Sequence, residues 1–207
     1  MKEHDFKDVW ANVTTRNGIR GDEVISMLQK SIRRGIEEDA LDAAYEMYSS
    51  SPQFEEKLWR RLLAISVEDI GFGDINAGPM VYTYSQMRLE FPYGDLDRAM
   101  FFVQAVRYLC RATKERSSNS ILALLVWQFE AGRKPVVPDY ALDTHTRAGR
   151  AKGRDLVHFI EEASQVEPLL EPDEYGHEQA RQKLLEYTKN PPKTRADNPF
   201  VHFTYQT

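Results

Sequence analysis

One short segment of the sequence combines residue types that acid–base and phosphate chemistry need. Asp143 and His145 stand two residues apart, and a carboxylate can fix the tautomer of an imidazole and raise its basicity. Arginine side chains can clamp a phosphate through paired N–H donors. The cations that follow the dyad are Arg147, Arg150, Lys152 and Arg154. The segment therefore predicts a site for a phosphate-bearing ligand.

Two other interpretations of this segment stay open. In the structural one, Asp143 or Thr144 caps a turn and the arginines pair with acidic residues elsewhere in the chain. In the catalytic one, the chain is a small enzyme acting on a phosphorylated or nucleotide substrate. His145 would then be the acid or base, Asp143 would orient it, and the arginines would bind the phosphate.

Charge is unevenly distributed along the chain. Residues 133–154 contain six cations and two carboxylates, whereas the whole chain of 207 residues has a net charge of −5. A basic segment in an acidic protein can attract an anionic ligand to one place. The overall acidity argues against a protein that coats nucleic acid over its whole surface.

The sequence lacks the common signature for binding nucleotides. A phosphate-binding loop needs a lysine and a hydroxyl residue after its second glycine, but the nearest approach, residues 73–78, continues with Pro79 and Met80. Cys110 is the single cysteine, which excludes a cysteine metal cluster and an internal disulfide. We expect no ATP hydrolysis by this chain alone, no metal and no cofactor.

The N-terminal residues and the lengths of the apolar runs indicate where in the cell the protein is expected. The chain opens with a charged stretch instead of an apolar signal region, and its longest apolar run covers only residues 121–127. A bilayer-spanning helix needs about 20 apolar residues. We therefore expect a cytoplasmic protein without a membrane partner.

Helical periodicity dominates the sequence and predicts an all-α helical bundle. Residues 1–20 read as an arm, residues 21–132 as the bundle, and residues 133–207 as a basic loop, two helices and an extended tail packed on the bundle. Asp22 is the expected cap of the first helix, and Ser118 or Asn119 that of the sixth. The center of the sixth helix is apolar all round, which predicts the hub of the core. The aromatic tail, with Phe200, Phe203 and Tyr205, should pack on this core or on a neighbouring copy.

Four blocks of mixed polar and apolar residues carry a likeness that periodicity alone does not explain. They lie at residues 21–33, 42–45, 60–71 and 104–109, and the run Arg-Arg-Leu-Leu-Ala-Ile-Ser-Val-Glu-Asp-Ile-Gly at 60–71 is the most specific. The chain from about residue 16 to 131 resembles the C-terminal region of the RarA/MgsA family of AAA+ ATPases, the bacterial counterparts of the Werner helicase interacting protein.

The resemblance implies an orthogonal helical bundle similar in position to the collar of clamp loaders. It implies that the chain assembles with itself, as tetramers in that family, and works in DNA replication and repair at stalled forks, with DNA as a possible partner. The family's ATPase module has no counterpart in this sequence, so a separate ATPase would have to supply that activity. From Lys134 onward the sequence departs from that family. The leading hypothesis is a non-catalytic, oligomer-forming scaffold with a basic loop.

Overall fold

The fold is helical throughout the part of the chain that can be described. The computed structural model describes residues 9–191, and within them no β-strand occurs; Thr14 and Arg20 form an isolated antiparallel bridge. The predicted all-α class is confirmed. The α-helices are α1 (Gly21–Arg34), α2 (Glu37–Ser50), α3 (Pro52–Ile65), α4 (Ala77–Met87), α5 (Leu96–Arg111), α6 (Ser117–Glu130), α7 (Arg147–Ala151), α8 (Leu156–His158) and α9 (His177–Lys189). The chain divides into two compact units, residues 1–133 and 134–207.

Local signals explain where several helices begin and end. The Ser51 hydroxyl accepts a hydrogen bond from the Phe54 amide at 3.2 Å, and Pro52 occupies the first helical position of α3, where its missing N–H costs nothing. Gly35 ends α1 with φ 70°, a left-handed conformation that glycine adopts without strain. The predicted cap Asp22 is wrong. Arg20 precedes the helix, and Asp22 lies inside its first turn and pairs with Arg20 at 3.1 Å.

The core of the first unit is built from the apolar stripes of α1 to α5. Buried residues recur three or four apart, the spacing that places side chains on one helix face. Its largest fully buried apolar side chains are Leu28, Ile32, Met47, Leu58, Trp59, Leu62, Ile65, Ile70, Phe102 and Leu109. Cys110 also belongs to this core, and its burial raises the pKa of the thiol to about 11, so the residue packs as a small apolar side chain.

One buried ion cluster lies within this apolar core. The Glu55 side chain is 2% exposed and lies 2.8 Å from Arg88 and 2.9 Å from Arg98, whose own side chains are 6% and 12% exposed. Burying a carboxylate is tolerable only when cations and hydrogen bonds compensate for the lost water. The cluster therefore fixes α3, α5 and the turn after α4 against each other.

The third helix changes its winding before it ends. The α-helix stops at Ile65, and residues Ser66–Ile70 continue as one turn of π-helix, followed by the 3-10 turn Gly71–Gly73. The insertion of an extra residue in a π-turn rotates the side chains that follow it. Within the π-turn Asp69 is fully buried, whereas the Glu68 side chain is 27% exposed.

The prediction that α6 is the hub of the core is wrong. None of its residues is buried, although α6 belongs to the first unit. Neither expected residue caps it. Its N-cap position is Arg116, and the Ser117 amide donates to the carboxylate of Glu115 at 2.5 Å.

The second unit has little core of its own among its described residues. Within residues 134–191 the buried side chain is that of Ile160, in the π-turn Phe159–Ala163 that continues α8. The two helices expected here appear as α8 with its π-turn and as α9. The predicted aromatic tail lies outside the described residues. No helix of the described part is long and apolar enough to cross a bilayer.

Candidate functional site

The Asp143–His145 pair is formed as its spacing suggests. The Nδ1 atom of His145 lies 2.8 Å from Asp143 Oδ2, and the His145 amide donates to Asp143 Oδ1 at 3.0 Å. This second bond closes a turn of the kind that aspartate side chains favour. The hydrogen bond from His145 lowers the pKa of the Asp143 carboxyl. The two side chains of the dyad are therefore within hydrogen-bond distance. The His145 side chain is 66% exposed to solvent.

The edge of the imidazole packs against an aromatic ring. The ring centroids of His145 and Phe159 are 4.9 Å apart in an edge-to-face arrangement, which is favourable for aromatic pairs. Together with the Asp143 bond, this contact fixes the orientation of the ring. Nε2 is the ring nitrogen left for any further partner.

Asp139 engages two of the four predicted phosphate ligands. Lys152 Nζ lies 2.6 Å from one Asp139 oxygen, and Arg154 pairs with the other. Arg154 also donates to the carbonyl oxygens of Asp139 (2.7 Å) and Leu142. The hydrogen bonds from Lys152 and then Arg154 lower the pKa of Asp139 to about 2. These two cations hold the loop closed through a carboxylate of the basic segment itself.

The other two predicted cations stand on the short helix α7. The Thr146 hydroxyl caps this helix by accepting from the Gly149 amide at 3.0 Å. Both Arg147 and Arg150 are exposed, and Arg150 donates to the Thr144 carbonyl at 3.0 Å. Within residues 9–191 neither guanidinium is paired with a carboxylate. Their charge is available to an external anion, so the predicted phosphate site stays a prediction that rests mainly on this pair.

Gly149 allows this segment to fold back on itself. A Cβ at Gly149 would overlap the backbone of Asp143, so that only glycine lets α7 lie against the dyad. The segment is thus a compact, self-bonded loop. Within the described residues, no group of three His, Cys, Asp or Glu side chains is placed to hold a metal ion.

Helix α6 presents an apolar surface that was not identified as a site from the sequence. Helix α6 has 14 residues, of which Glu130 is the one charged residue. Its seven large apolar side chains are between 39% and 63% exposed. They are Ile121, Leu122, Leu124, Leu125, Val126, Trp127 and Phe129. The apolar run at residues 121–127 marks this surface in the sequence, where it predicted an internal position.

The segment before α6 is anchored tightly to the rest of the first unit. A Cβ at Gly73 would overlap the Thr113 carbonyl, which shows how closely the two backbones approach. The Glu115 amide donates to the Asp69 carbonyl at 3.1 Å. The Lys114 ammonium donates to the carbonyl oxygens of residues 109, 110 and 112 at 2.6 to 2.9 Å, and burial lowers its pKa. The last turn of α5 is thereby capped.

A cluster of charges around Asp69 completes this anchor. Arg33 Nε donates to Asp69 Oδ1 at 2.6 Å, and Gln29 donates to the second oxygen at 3.1 Å. Arg116, at the start of α6, places Nε 2.9 Å from Asp69 Oδ1, an ion-pair contact without hydrogen-bond geometry. Glu68 pairs with Arg61 at 2.9 Å at the rim of the cluster. Helix α6 is consequently attached at its base to α1 and to the π-turn.

Comparison with known proteins gives a setting for these features. No family model matches the chain. The chain is 31% identical over 136 residues to the replication-associated recombination protein A of Bacillus subtilis (strain 168). The chain is a distant relative of that protein. The aligned part covers 65% of this chain and 31% of the relative. The relation inferred from the sequence blocks is supported, while the correspondence to the C-terminal domain stays a prediction.

Proposed function

We propose that this chain is a non-catalytic, self-associating helical scaffold that acts in DNA replication and recombination. The observation that carries the proposal is α6, an apolar helix whose large side chains are all at least 39% exposed. The relation to a replication-associated recombination protein supplies the biological setting. The assembly expected from the family resemblance is a tetramer.

The size of the exposed surface favours a stable contact. The seven apolar side chains of α6 together expose an area on the order of 500 Å², near the upper range for the largest apolar patch of a typical monomer. Burial of apolar area is a favourable contribution to association.

The attachment of α6 supports the same function. The base of α6 is fixed by Asp69, Glu115 and the close approach at Gly73. The helix therefore has a fixed orientation before a partner binds. Preorganisation of this kind lowers the entropy that binding must overcome. A helix that serves as an interface gains from such an anchor.

The basic segment gives the scaffold a second surface. We propose that Arg147 and Arg150 bind a phosphate-bearing ligand, with DNA the ligand most compatible with the setting, while Lys152 and Arg154 hold the loop. Any ATP-driven step would come from a separate ATPase, because the sequence has no phosphate-binding loop.

The catalytic alternative rests on the Asp143–His145 hydrogen bond. This geometry would let the imidazole act as acid or base. However, strong electrostatic catalysis depends on a site from which water is excluded, and the His145 side chain is largely solvated. The scaffold is therefore the better supported function.

Sedimentation velocity of the full chain tests the proposal. We expect a species larger than the 24.0 kDa monomer, and conversion to monomer when Leu125→Glu and Trp127→Glu are combined. Tyr82→Glu on α4 is the matched control, since Tyr82 and Trp127 are aromatic residues with 58% and 60% exposure. A wild-type chain that remains monomeric at high micromolar concentration would refute the proposal.

A further inference from the structure

The basic segment contains one large aromatic side chain, and this side chain is exposed. Within residues 133–154, Tyr140 is the single Phe, Tyr or Trp residue. Its exposed fraction is 75%. An isolated exposed tyrosine on a protein surface needs no explanation by itself. The position of this ring, beside cations that are available to a phosphate, makes it relevant to binding.

The backbone that carries the ring is fixed by hydrogen bonds. Tyr140 is the middle residue of the 3-10 turn Asp139–Ala141, and the Leu142 amide donates to the Asp139 carbonyl at 3.0 Å. Arg154 donates to the same carbonyl at 2.7 Å and pairs with the Asp139 carboxylate. The turn is therefore set before a ligand binds, and such preorganisation lowers the entropy cost of binding.

The fold of the loop keeps Tyr140 near the two exposed arginines of α7. A Cβ at Gly149 would lie 2.5 Å from the carbonyl carbon of Asp143. Tyr140 is three residues before Asp143, and Arg150 directly follows Gly149. From the reach of the chain, the Cα atoms of Tyr140 and Arg150 are within roughly 20 Å of each other. About six nucleotides of one strand, at about 3.4 Å each, cover that distance.

Charge around the ring favours an anionic chain as the ligand. The two carboxylates of the segment are already engaged, Asp139 by Lys152 and Arg154, and Asp143 by His145. A phosphate that approaches the loop therefore meets no unpaired carboxylate of the segment. The arginines of α7 supply the attraction, and the adjacent ring supplies a flat apolar face.

Base pairing decides which form of DNA can use such a ring. Stacking of a base on an aromatic side chain changes affinity by about 5- to 150-fold, and it is tolerant of sequence because every base has a π-face. In a duplex the two faces of a base are covered by its neighbours in the stack. An unpaired base leaves a face open, so the ring adds to the binding of a single strand.

We propose that this loop is a binding site for single-stranded DNA, in which the Tyr140 ring stacks on a base while Arg147 and Arg150 contact phosphates of the same strand. This inference rests on the proposed phosphate site and specifies the form of nucleic acid that the site takes. Duplex DNA binds through the two arginines alone, without a contribution from the ring.

Fluorescence anisotropy of the full chain tests the role of the ring. The ligands are a labelled oligothymidylate of about 12 nucleotides, within the usual range of site sizes, and a labelled duplex of the same length. We expect Tyr140→Ala to weaken binding of the single strand at least about fivefold and to leave binding of the duplex unchanged. Tyr140→Phe keeps the ring and should match the wild type.

A second tyrosine of the same unit provides the matched control. Tyr175 is 85% exposed, but it lies beside Asp173 and Glu174 instead of cations. We expect Tyr175→Ala to bind both ligands as the wild type does. Circular dichroism verifies the helix content of each variant, and Tyr140→Leu replaces Tyr140→Ala if that variant loses it.

Salt dependence separates stacking from charge. Tyr140→Ala removes no phosphate contact, so the log–log salt slope for the single strand should stay that of the wild type. Arg147→Ala combined with Arg150→Ala should lower this slope by about 1.4. A change of slope in Tyr140→Ala would mean that the substitution disturbs the arginines, and it would overturn the stacking role.

The remaining outcomes separate this inference from the proposed phosphate site. If Tyr140→Ala weakens both ligands equally or neither of them, or if Tyr140→Phe loses as much as Tyr140→Ala, the stacking role fails. The phosphate site stands in these cases as long as the double arginine variant lowers the salt slope. If the wild type binds neither ligand at low salt, both proposals fail.

Discussion

The four cations after His145 differ in whether they pair with the carboxylate of Asp139. Lys152 and Arg154 are held by its carboxylate, with a Lys152 Nζ distance of 2.6 Å. Arg147 and Arg150 have no carboxylate partner within the described residues. A guanidinium that already has an internal carboxylate gains less from a phosphate than one that faces water. The difference gives the residue-scale prediction for DNA binding.

Arg147→Ala combined with Arg150→Ala should weaken DNA binding and reduce its dependence on salt. Loss of two phosphate contacts lowers the log–log salt slope by about 1.8 for duplex DNA. The measurement is fluorescence anisotropy with a labelled duplex between low and physiological salt.

Lys152→Gln is the control for this experiment, because its charge is already used by Asp139. We expect its salt slope to stay close to that of the wild type. Equal losses in the two variants would contradict the division into two kinds of cation. Absence of binding by the wild type at low salt would remove DNA as the ligand.

The residues of the dyad show what spacing alone can predict. Asp143 and His145 are two apart, so a turn suffices to join them, and the sequence identified the pair. Asp139 and Arg154 are 15 residues apart, and their contact depends on how the loop folds back through Gly149. Sequence reasoning could name the cations but could not assign a carboxylate to each.

At the scale of helices, local signals gave reliable boundaries where a single residue type decides them. Gly35 ends α1, and Ser51-Pro52 begins α3. Capping was less reliable, because Asp22 and Ser118 are suitable cap residues that lie inside their helices. The starts of α1 and α6 are set by tertiary contacts, namely Gly21 against Trp10 and Glu115 against Asp69.

Helix α6 shows a limit of periodicity. An apolar helix is usually enclosed by its neighbours, which is why the sequence predicted a place for α6 in the core. It could not specify whether the enclosing atoms belong to the same chain. The π-turn that buries Asp69 was equally unpredictable, since it results from one inserted residue in a helix whose sequence pattern is otherwise ordinary.

Gly73→Ala should disturb the base of α6. The new methyl group would overlap the Thr113 carbonyl, so the backbone of the linker must shift. We expect a loss of about 1 to 3 kcal/mol in the free energy of unfolding. The measurement is urea denaturation followed by circular dichroism.

Gly78→Ala is the matched control within the same region. Its Cβ would lie 3.7 Å from the Ser66 hydroxyl, an ordinary contact, and alanine favours a helix over glycine by up to about 1 kcal/mol. We expect this variant to be as stable as the wild type or slightly more so. A Gly73→Ala protein with unchanged stability would mean that the linker yields easily and does not fix α6.

On the scale of the whole molecule, the first unit depends on a charge buried in its core. Glu55→Ala would leave Arg88 and Arg98, 6% and 12% exposed, without their carboxylate. Removing one partner of a buried pair costs about 3 to 5 kcal/mol. We expect a marked fall in the midpoint of thermal unfolding, measured by differential scanning calorimetry.

The neighbouring variant Glu56→Ala tests whether the loss of stability expected for Glu55→Ala comes from the burial of the carboxylate or from its charge alone. Its side chain is 50% exposed and pairs with the 75% exposed Arg60 at 3.0 Å, and exposed pairs of this kind contribute at most about 1 kcal/mol. Its contact with Arg88 at 3.1 Å also lies at the solvent edge of the cluster. Similar losses in both variants would show that the core tolerates unpaired guanidinium groups.

The exposed apolar surface of α6 has a consequence for how much of the protein accumulates in a cell. Under the proposed self-association, a newly synthesised molecule would expose the helix until it met other copies, and exposed apolar surfaces are what holdase chaperones bind. Synthesis at low copy number would therefore leave the protein in chaperone complexes or expose it to proteases. Gene dosage, and not only fold stability, would then set how much working protein accumulates.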